Sequence, residues 1–240
     1  MTVKKYKTGD ERSYALGITL TIELLNNRPD IVKLLYLHSE FNGESRTKVE
    51  ALCRSRGVIC EENDKVFNIL SDKDNCFCIG VFNVYKSELD CNANHIVLVN
   101  PSNAGNLGTI LRSCLGFNIH DVAIISPSVD VFDPKTVRAS MGAVFSVNVK
   151  YYNSFEEYVS AQIDKREYYS FMLQSSSLLT DASIDSPYSL IFGNEATGLP
   201  DYYSTITKPL RIGHSKAIDS LNLQTAVSIA LFYATKGDFN

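Results

Sequence analysis

From His95 onward the chain repeats one pattern: a strand-length apolar run, a polar or glycine-bearing turn, then a stretch with helical spacing. The pattern predicts strands at residues 96–99, 122–126, 145–151, 168–173, 190–192 and 209–212. Helices are expected between them at about 107–117, 134–141, 155–163 and 221–234. Wholly apolar strands alternating with helices fit a parallel sheet covered on both faces. In such α/β sheets ligands gather at the carboxyl ends of the strands, so the turns there are the places to look for chemistry.

Before His95 the alternation is less regular. A helix is expected at 16–25, a strand at 32–38, a helix at 47–56 closed by Gly57, a short strand at 58–60, a short helix at 65–70 and a strand at 76–84. The polar stretch 85–94, with Lys86, Glu88, Asp90, Asn92 and Asn94, has linker composition. The expected organisation is a domain at 1–85, a linker at 86–94 and a second domain at 95–240. With 240 residues, 45% of them hydrophobic, the chain can bury a sizeable core. It holds no apolar run of about 18 residues to span a membrane. The charged residues near its start are followed by no apolar signal core, so the expected compartment is the cytoplasm.

Six cysteines, at 53, 60, 76, 78, 91 and 114, form no paired C-x-x-C sets, and the four histidines are dispersed. Neither pattern predicts a metal site, and the thiols are expected to be reduced. A net charge of −4 and a pI near 5.6 exclude indiscriminate binding of polyanions through a global positive field. Two local basic clusters remain as candidates: Lys4, Lys5, Lys7 and Arg12, and then Arg46, Lys48, Arg54 and Arg56.

Three turns hold the candidate site. The first, 100–108, runs into a helix whose apolar face is Leu107, Ile110, Leu111, Cys114 and Leu115, which points Arg112 away from the core. Asn106 and Arg112 lie about 120° apart around a continuous helix, so they converge on one ligand only if Asn106 is in the loop or first turn. Asn106 also reads as a helix cap. The turn has neither G-x-G-x-x-G nor the Walker pattern, which excludes the standard nucleotide-phosphate loops. In the second turn a buried run ending at Phe192 opens into Gly193, Asn194, Glu195, Thr197 and Gly198, bringing one carboxylate and several bare amides to the sheet edge. The third, 211–226, enters a helix apolar nearly all round: Ala226, Val227, Ile229, Ala230, Leu231 and Phe232. Such a helix needs cover on more than one side, part of it from a subunit interface. Asp219 or Ser220 is expected to cap it, and Asn222 reads as a buried amide in need of partners.

Four short matches in order then carry a family resemblance: Asn106 to Arg112, Arg138 to Ala143, Gly193 to Leu199, and Ser220 to Asn222 ahead of the last helix. Together they resemble the SpoU, or TrmH-type, branch of the SPOUT RNA 2′-O-ribose methyltransferases across roughly residues 95 to 236. The first third, through Gly17, Glu23, Leu24 and Leu25, is similar to the family's small ribosomal-protein-like RNA-binding domain. The resemblance implies an α/β fold with a C-terminal trefoil-knotted parallel-sheet domain, a homodimer, and a substrate that is rRNA or tRNA. It implies S-adenosylmethionine held by Gly193, Asn194, Glu195, Gly198, Ile212, Ser220, Leu221 and Ala226, and a reacting centre of Asn106, Arg112, Glu195, Ser220 and Asn222.

The chain departs from the family after Ile212, where Gly213, His214, Ser215 and Lys216 replace the usual Pro-Met-x-Gly. It departs again after Asn222, where Leu223, Gln224 and Thr225 replace Val-Ser-Val before Ala226. A guanidinium is a poor base, so Arg112 is expected to clamp ribose or phosphate, with Glu195 or a water it holds accepting the proton. The alternatives are a non-catalytic RNA-binding paralogue and a base methyltransferase on the same fold.

Overall fold

The structure, a computed structural model, describes residues 3–71, 75–163 and 165–239. The chain forms two compact units, residues 1–85 with 130–146, and residues 86–129 with 147–240.

The first unit begins with β1 (Arg12–Leu16), α1 (Ile18–Asn27), β2 (Val32–Leu37), α2 (Gly43–Arg56), β3 (Cys60–Glu62), α3 (Asp64–Leu70) and β4 (Cys78–Asn83). Its sheet has the order β1-β4-β2-β3, antiparallel except where β2 meets β3. The strand β1 stands where the helix was expected to begin. Gly17, at φ 111, takes a conformation that side chains disfavour, so Leu16 ends a strand and α1 starts only at Ile18. α1 buries Leu20, Thr21, Leu24 and Leu25, and α2 ends at Gly57 in the left-handed region. The short strand lies at Cys60–Glu62 and not at 58–60, because Cys60 is the residue that pairs with Leu35.

The basic clusters are partly neutralised at home. Lys4 pairs with Asp10 at 2.6 Å, Arg46 with Glu50 at 2.7 Å and Glu62 at 3.0 Å, and Lys48 with Glu44 at 2.6 Å. Of the second cluster, Arg54 and Arg56 remain without an ion pair among the described residues.

The second unit opens with β5 (His95–Val99), α4 (Ala104–Gly116) and β6 (Asp121–Ile125). The chain then passes to the first unit, where α5 (Pro134–Ala139) and the turn Ala143–Phe145 pack. Gly142, at φ 94, lets this turn lie against α1; a Cβ there would meet the Glu23 Cβ at 2.5 Å. The Tyr85 hydroxyl donates to the Val144 carbonyl at 2.7 Å and Arg28 Nε to the Phe145 carbonyl at 3.1 Å. The strand expected at 145–151 therefore starts later, as β7 (Asn148–Tyr152).

There follow α6 (Phe155–Ser160), β8 (Glu167–Phe171), β9 (Tyr188–Phe192), α7 (Tyr203–Ile206), β10 (Lys208–Leu210) and α8 (Leu223–Ala234). The six strands form one parallel sheet in the order β10-β8-β9-β5-β6-β7. Every residue of β5, β6 and β9 is buried, as strands covered on both faces require. The short helix α7 has no counterpart in the sequence pattern. Among the described residues no helix is long and apolar enough to cross a membrane, and no group of three or more His, Cys, Asp or Glu could hold a metal ion.

A buried polar network closes the amino edge of this sheet. The Arg166 guanidinium donates to the carbonyls of Tyr188, Cys91 and Ala93 at 2.8, 2.7 and 2.6 Å. His95 bridges the Tyr158 hydroxyl at 2.8 Å and the Asp90 carbonyl at 2.9 Å. Burial first, and repulsion by Arg166 second, depress the His95 pKa from 6.5 to about 4. The unfolded chain therefore takes up this proton first, and the neutral imidazole's contribution is complete above 6.5 and lost as pH falls towards 4. Thermal melts should show a loss of up to about 3 kcal/mol over that window. His95→Gln should flatten this part of the profile; an unchanged slope would remove His95 as its source.

Candidate active site

The site is built on the carboxyl ends of β5, β8, β9 and β10. After β9, Asn194 knits two loops together. Its Nδ2 donates to the Asn100 carbonyl at 2.7 Å, and its Oδ1 accepts from the amides of Ala196 at 2.9 Å and Thr197 at 3.3 Å. The chain closes on itself where Gly198 N–H donates to the Asn194 carbonyl at 2.9 Å, with Gly198 at φ 68.

Glu195 is held more tightly still. One oxygen accepts from the Ser102 amide at 3.0 Å and hydroxyl at 2.8 Å, and the other from the Asn103 amide and Asn106 Nδ2, both at 3.2 Å. Burial alone would raise its pKa, but the hydrogen bonds from Ser102 and Asn106 outweigh it and hold the carboxyl below its ordinary value. Glu195 is thus an ionised carboxylate with its lone pairs engaged.

Asn106 sits in the first turn of α4, the condition under which it can share a ligand with Arg112. It is not the cap. Asn103 caps the helix, its Oδ1 accepting the Asn106 amide at 3.0 Å, which leaves the Asn106 side chain for Glu195. Arg112 is exposed on α4 and makes no ion pair or hydrogen bond among the described residues.

The loop after β10 leads into α8, whose cap is Asn222 and neither Asp219 nor Ser220. The Asn222 Oδ1 accepts the Gln224 amide at 2.9 Å. Asn222 is exposed, so the expected buried amide is a surface cap. In the divergent segment, His214 Nδ1 lies 3.0 Å from the Ile212 carbonyl. A carbonyl only accepts, so Nδ1 carries the proton and Nε2 is left as an acceptor.

Between these loops lies a cavity of about 310 Å3. Gly193, Asn194, Glu195, Gly198, Ile212, Ser220, Leu221 and Ala226 all face it. So do Met172, Leu173 and Gln174, just past the end of β8, which no motif in the sequence marks. Their signal is position alone: they follow a strand next to β9 and β10 at the carboxyl edge. Asn106, Arg112 and Asn222 are not on the cavity wall, although Asn106 touches it through Glu195. The wall joins apolar residues (Met172, Leu199, Ile212, Leu221) to polar and charged ones (Asn194, Glu195, Asp201, Arg211, His214).

Residues 93–232 match the sequence profile of the SpoU rRNA Methylase family. The chain belongs to that family. A Listeria innocua protein provisionally named as a tRNA (cytidine(34)-2′-O)-methyltransferase is 30% identical over 150 residues, which is 60% of this chain and 87% of the relative. The 23S rRNA (uridine(2479)-2′-O)-methyltransferase of Streptomyces viridochromogenes is 28% identical over 145 residues, 57% of this chain and 50% of that protein. Among solved structures, the AdoMet-bound rRNA methyltransferase from Sinorhizobium meliloti matches with a TM-score of 0.81 and 26% identity, covering 96% of this chain and 89% of that one.

Proposed function

We propose that the cavity at the ends of β8, β9 and β10 seats S-adenosylmethionine and that an rRNA ribose is presented to it from the side of Asn106. The chain is an S-adenosylmethionine-dependent RNA 2′-O-ribose methyltransferase. The observation that carries the site assignment is Glu195, a residue of the cavity wall whose carboxylate anchors Asn106. The eight cavity residues from Gly193 to Ala226 would hold the cofactor, Ile212 and Leu221 against its apolar parts and the Gly193–Gly198 loop through backbone amides. When bound, S-adenosylmethionine supplies an activated methyl group for the ribose oxygen.

The chain's own residues then have separable tasks. Arg112, exposed and unpaired, clamps ribose or phosphate by bidentate hydrogen bonds. Asn106 orients the hydroxyl, Asn222 sets the start of α8, Ser220 lines the cavity, and Glu195 positions Asn106. With its lone pairs engaged and its pKa low, Glu195 is a weak base, so the proton passes to water near it. Orienting the groups this way can supply much of the barrier reduction, on the order of 7–11 kcal/mol.

Support for rRNA comes from coverage. Among solved structures, the one concerning 2′-OH methylation of C/U34 on tRNA matches 60% of this chain, whereas the Sinorhizobium rRNA enzyme matches 96% of it. We read residues 1–85 as the RNA-binding domain, similar to a ribosomal-protein-like module, with Arg54 and Arg56 among its charges that make no ion pair among the described residues. The exposed Ile229 and Phe232 on α8 support a homodimer, which sedimentation would register as twice the chain mass. The return from edge strand β10 to α8, packed on α4, supports the knotted course. A density map traced through residues 178–226 tests it.

The deciding experiment is methylation of rRNA and tRNA with labelled S-adenosylmethionine, followed by digestion to nucleosides. Label on the ribose of an rRNA nucleoside is expected; label on a base, or on tRNA alone, would overturn the assignment. In the same assay Arg112→Ala should lower kcat/KM by roughly 10–100-fold, about 1.4–2.8 kcal/mol. Calorimetric affinity for S-adenosylmethionine should be unchanged, since Arg112 is off the cavity wall. A matching loss of cofactor affinity would refute the clamp.

A further inference from the structure

A second cavity, of about 330 Å3, lies in the first unit and is lined by Cys53, Cys60, Arg46, Glu50, Arg54 and Glu62, among others. Cys53 is in the last turn of α2 and Cys60 opens β3. The connection between them is tight: Gly57 reverses the chain in the left-handed region, and the Val58 amide donates back to the Cys53 carbonyl at 2.9 Å. Both side chains belong to one apolar cluster, Cys53 buried within it and Cys60 half-buried at its margin.

We propose that Cys53 and Cys60 form a redox-active dithiol, oxidised by hydrogen peroxide to an intramolecular disulfide. The proposal is independent of the methyl-transfer reading. The electrostatics give the two sulfurs different tasks. The neighbouring Cys53 thiol is the main influence lowering the Cys60 pKa; it outweighs burial and the Glu50 charge, and Arg54 and Arg46 add to it. The Cys60 sulfur, then burial, raises Cys53. Cys60, half-buried at the margin where peroxide can reach it, is the attacking thiolate, and the buried Cys53 is the resolving thiol. The Cys60 sulfur attacks one peroxide oxygen, the O–O bond breaks, and the departing hydroxide leaves as water, giving a sulfenic acid. The Cys53 sulfur then attacks the Cys60 sulfur and expels a second water as the S–S bond forms. Two thiols and one peroxide become one disulfide and two waters.

Arg54 and Arg56 place tryptic cleavage sites between the two cysteines, which makes the test direct. The reduced full-length chain is treated with stoichiometric hydrogen peroxide, blocked with N-ethylmaleimide and mapped by mass spectrometry. Peptide 49–54 linked to peptide 57–65 is expected, reversible by dithiothreitol. Cys60 should be consumed roughly tenfold faster than Cys91, the other half-buried thiol. In Cys53→Ser, Cys60 should instead stop at a dimedone-reactive sulfenic acid. Oxidation of wild-type Cys60 to a sulfinic acid without the link, or no faster than Cys91, would overturn the proposal whether or not the variant folds.

Discussion

Gly193→Ala should weaken S-adenosylmethionine binding at least about a hundredfold and stop detectable methyl transfer. The reason is contact and not conformation. Gly193 has no positive φ, so alanine suits its backbone, but a Cβ there would overlap the Gly198 carbonyl carbon and the Leu199 nitrogen. These are main-chain atoms of the loop that lines the cavity, and they cannot swing aside as a side-chain tip would. The loop has to open, at a free-energy cost beyond the roughly 1–3 kcal/mol typical of an over-packed core. Gly198 is the natural control. It has φ 68 and open space where a Cβ would go, so Gly198→Ala should cost only about 1–2 kcal/mol of backbone strain. Titration calorimetry and thermal melts on both variants separate the two causes. Wild-type cofactor affinity in Gly193→Ala would show that the loop yields and would remove it from the site.

The second large effect belongs to Glu195. Its carboxylate accepts two hydrogen bonds from Ser102, one from Asn103 and one from Asn106. Glu195→Gln must turn an amide N–H₂ towards one set of these donors, which loses charge-assisted bonds worth about 1.5–3 kcal/mol each. A fall in kcat of roughly a hundred- to a thousandfold is expected, with RNA affinity nearly unchanged. If Glu195 acts through Asn106, then Asn106→Ala should have a similar effect and the double variant little more than either alone. Full additivity would indicate a separate role. Because folding depresses this carboxyl's pKa, its stabilising contribution is present above the ordinary carboxylate range and lost as pH falls through the lower folded value. The wild-type rate should therefore stay flat through mildly acidic pH, and the Gln variant should lack the acid-side loss of stability. Methylation at the wild-type rate by Glu195→Gln would exclude it from both positioning and proton transfer.

The alternation of the second unit was legible because its strands are buried on both faces and its helices carry clear apolar stripes. Three things were hidden for identifiable reasons. Leu16 fits the apolar spacing of α1, and only the backbone of Gly17 shows that it ends a strand. Asn103 and Asn106 are chemically alike and three residues apart. Composition cannot say which caps α4 and which faces Glu195, whereas hydrogen-bond geometry can. Phe145 reads as the start of a strand because it is apolar and adjacent to one, yet it is buried in the other unit. Periodicity records that a residue is covered, not by which neighbour. The same limit hid the wall after β8, where Met172 and Leu173 carry no polar signature at all.

The excursion at 130–146 has a consequence for how the gene can be cut. The family match runs unbroken from 93 to 232, straight through a stretch that packs with residues 1–85. No single scissile bond divides this polypeptide into two self-sufficient halves. Excising 86–240 would strip Val131, Val137, Val144 and Phe145 of their cover, and the amino-terminal fragment would be left with the matching gap. Exchanging the first unit as a whole therefore requires exchanging two separate pieces of coding sequence together.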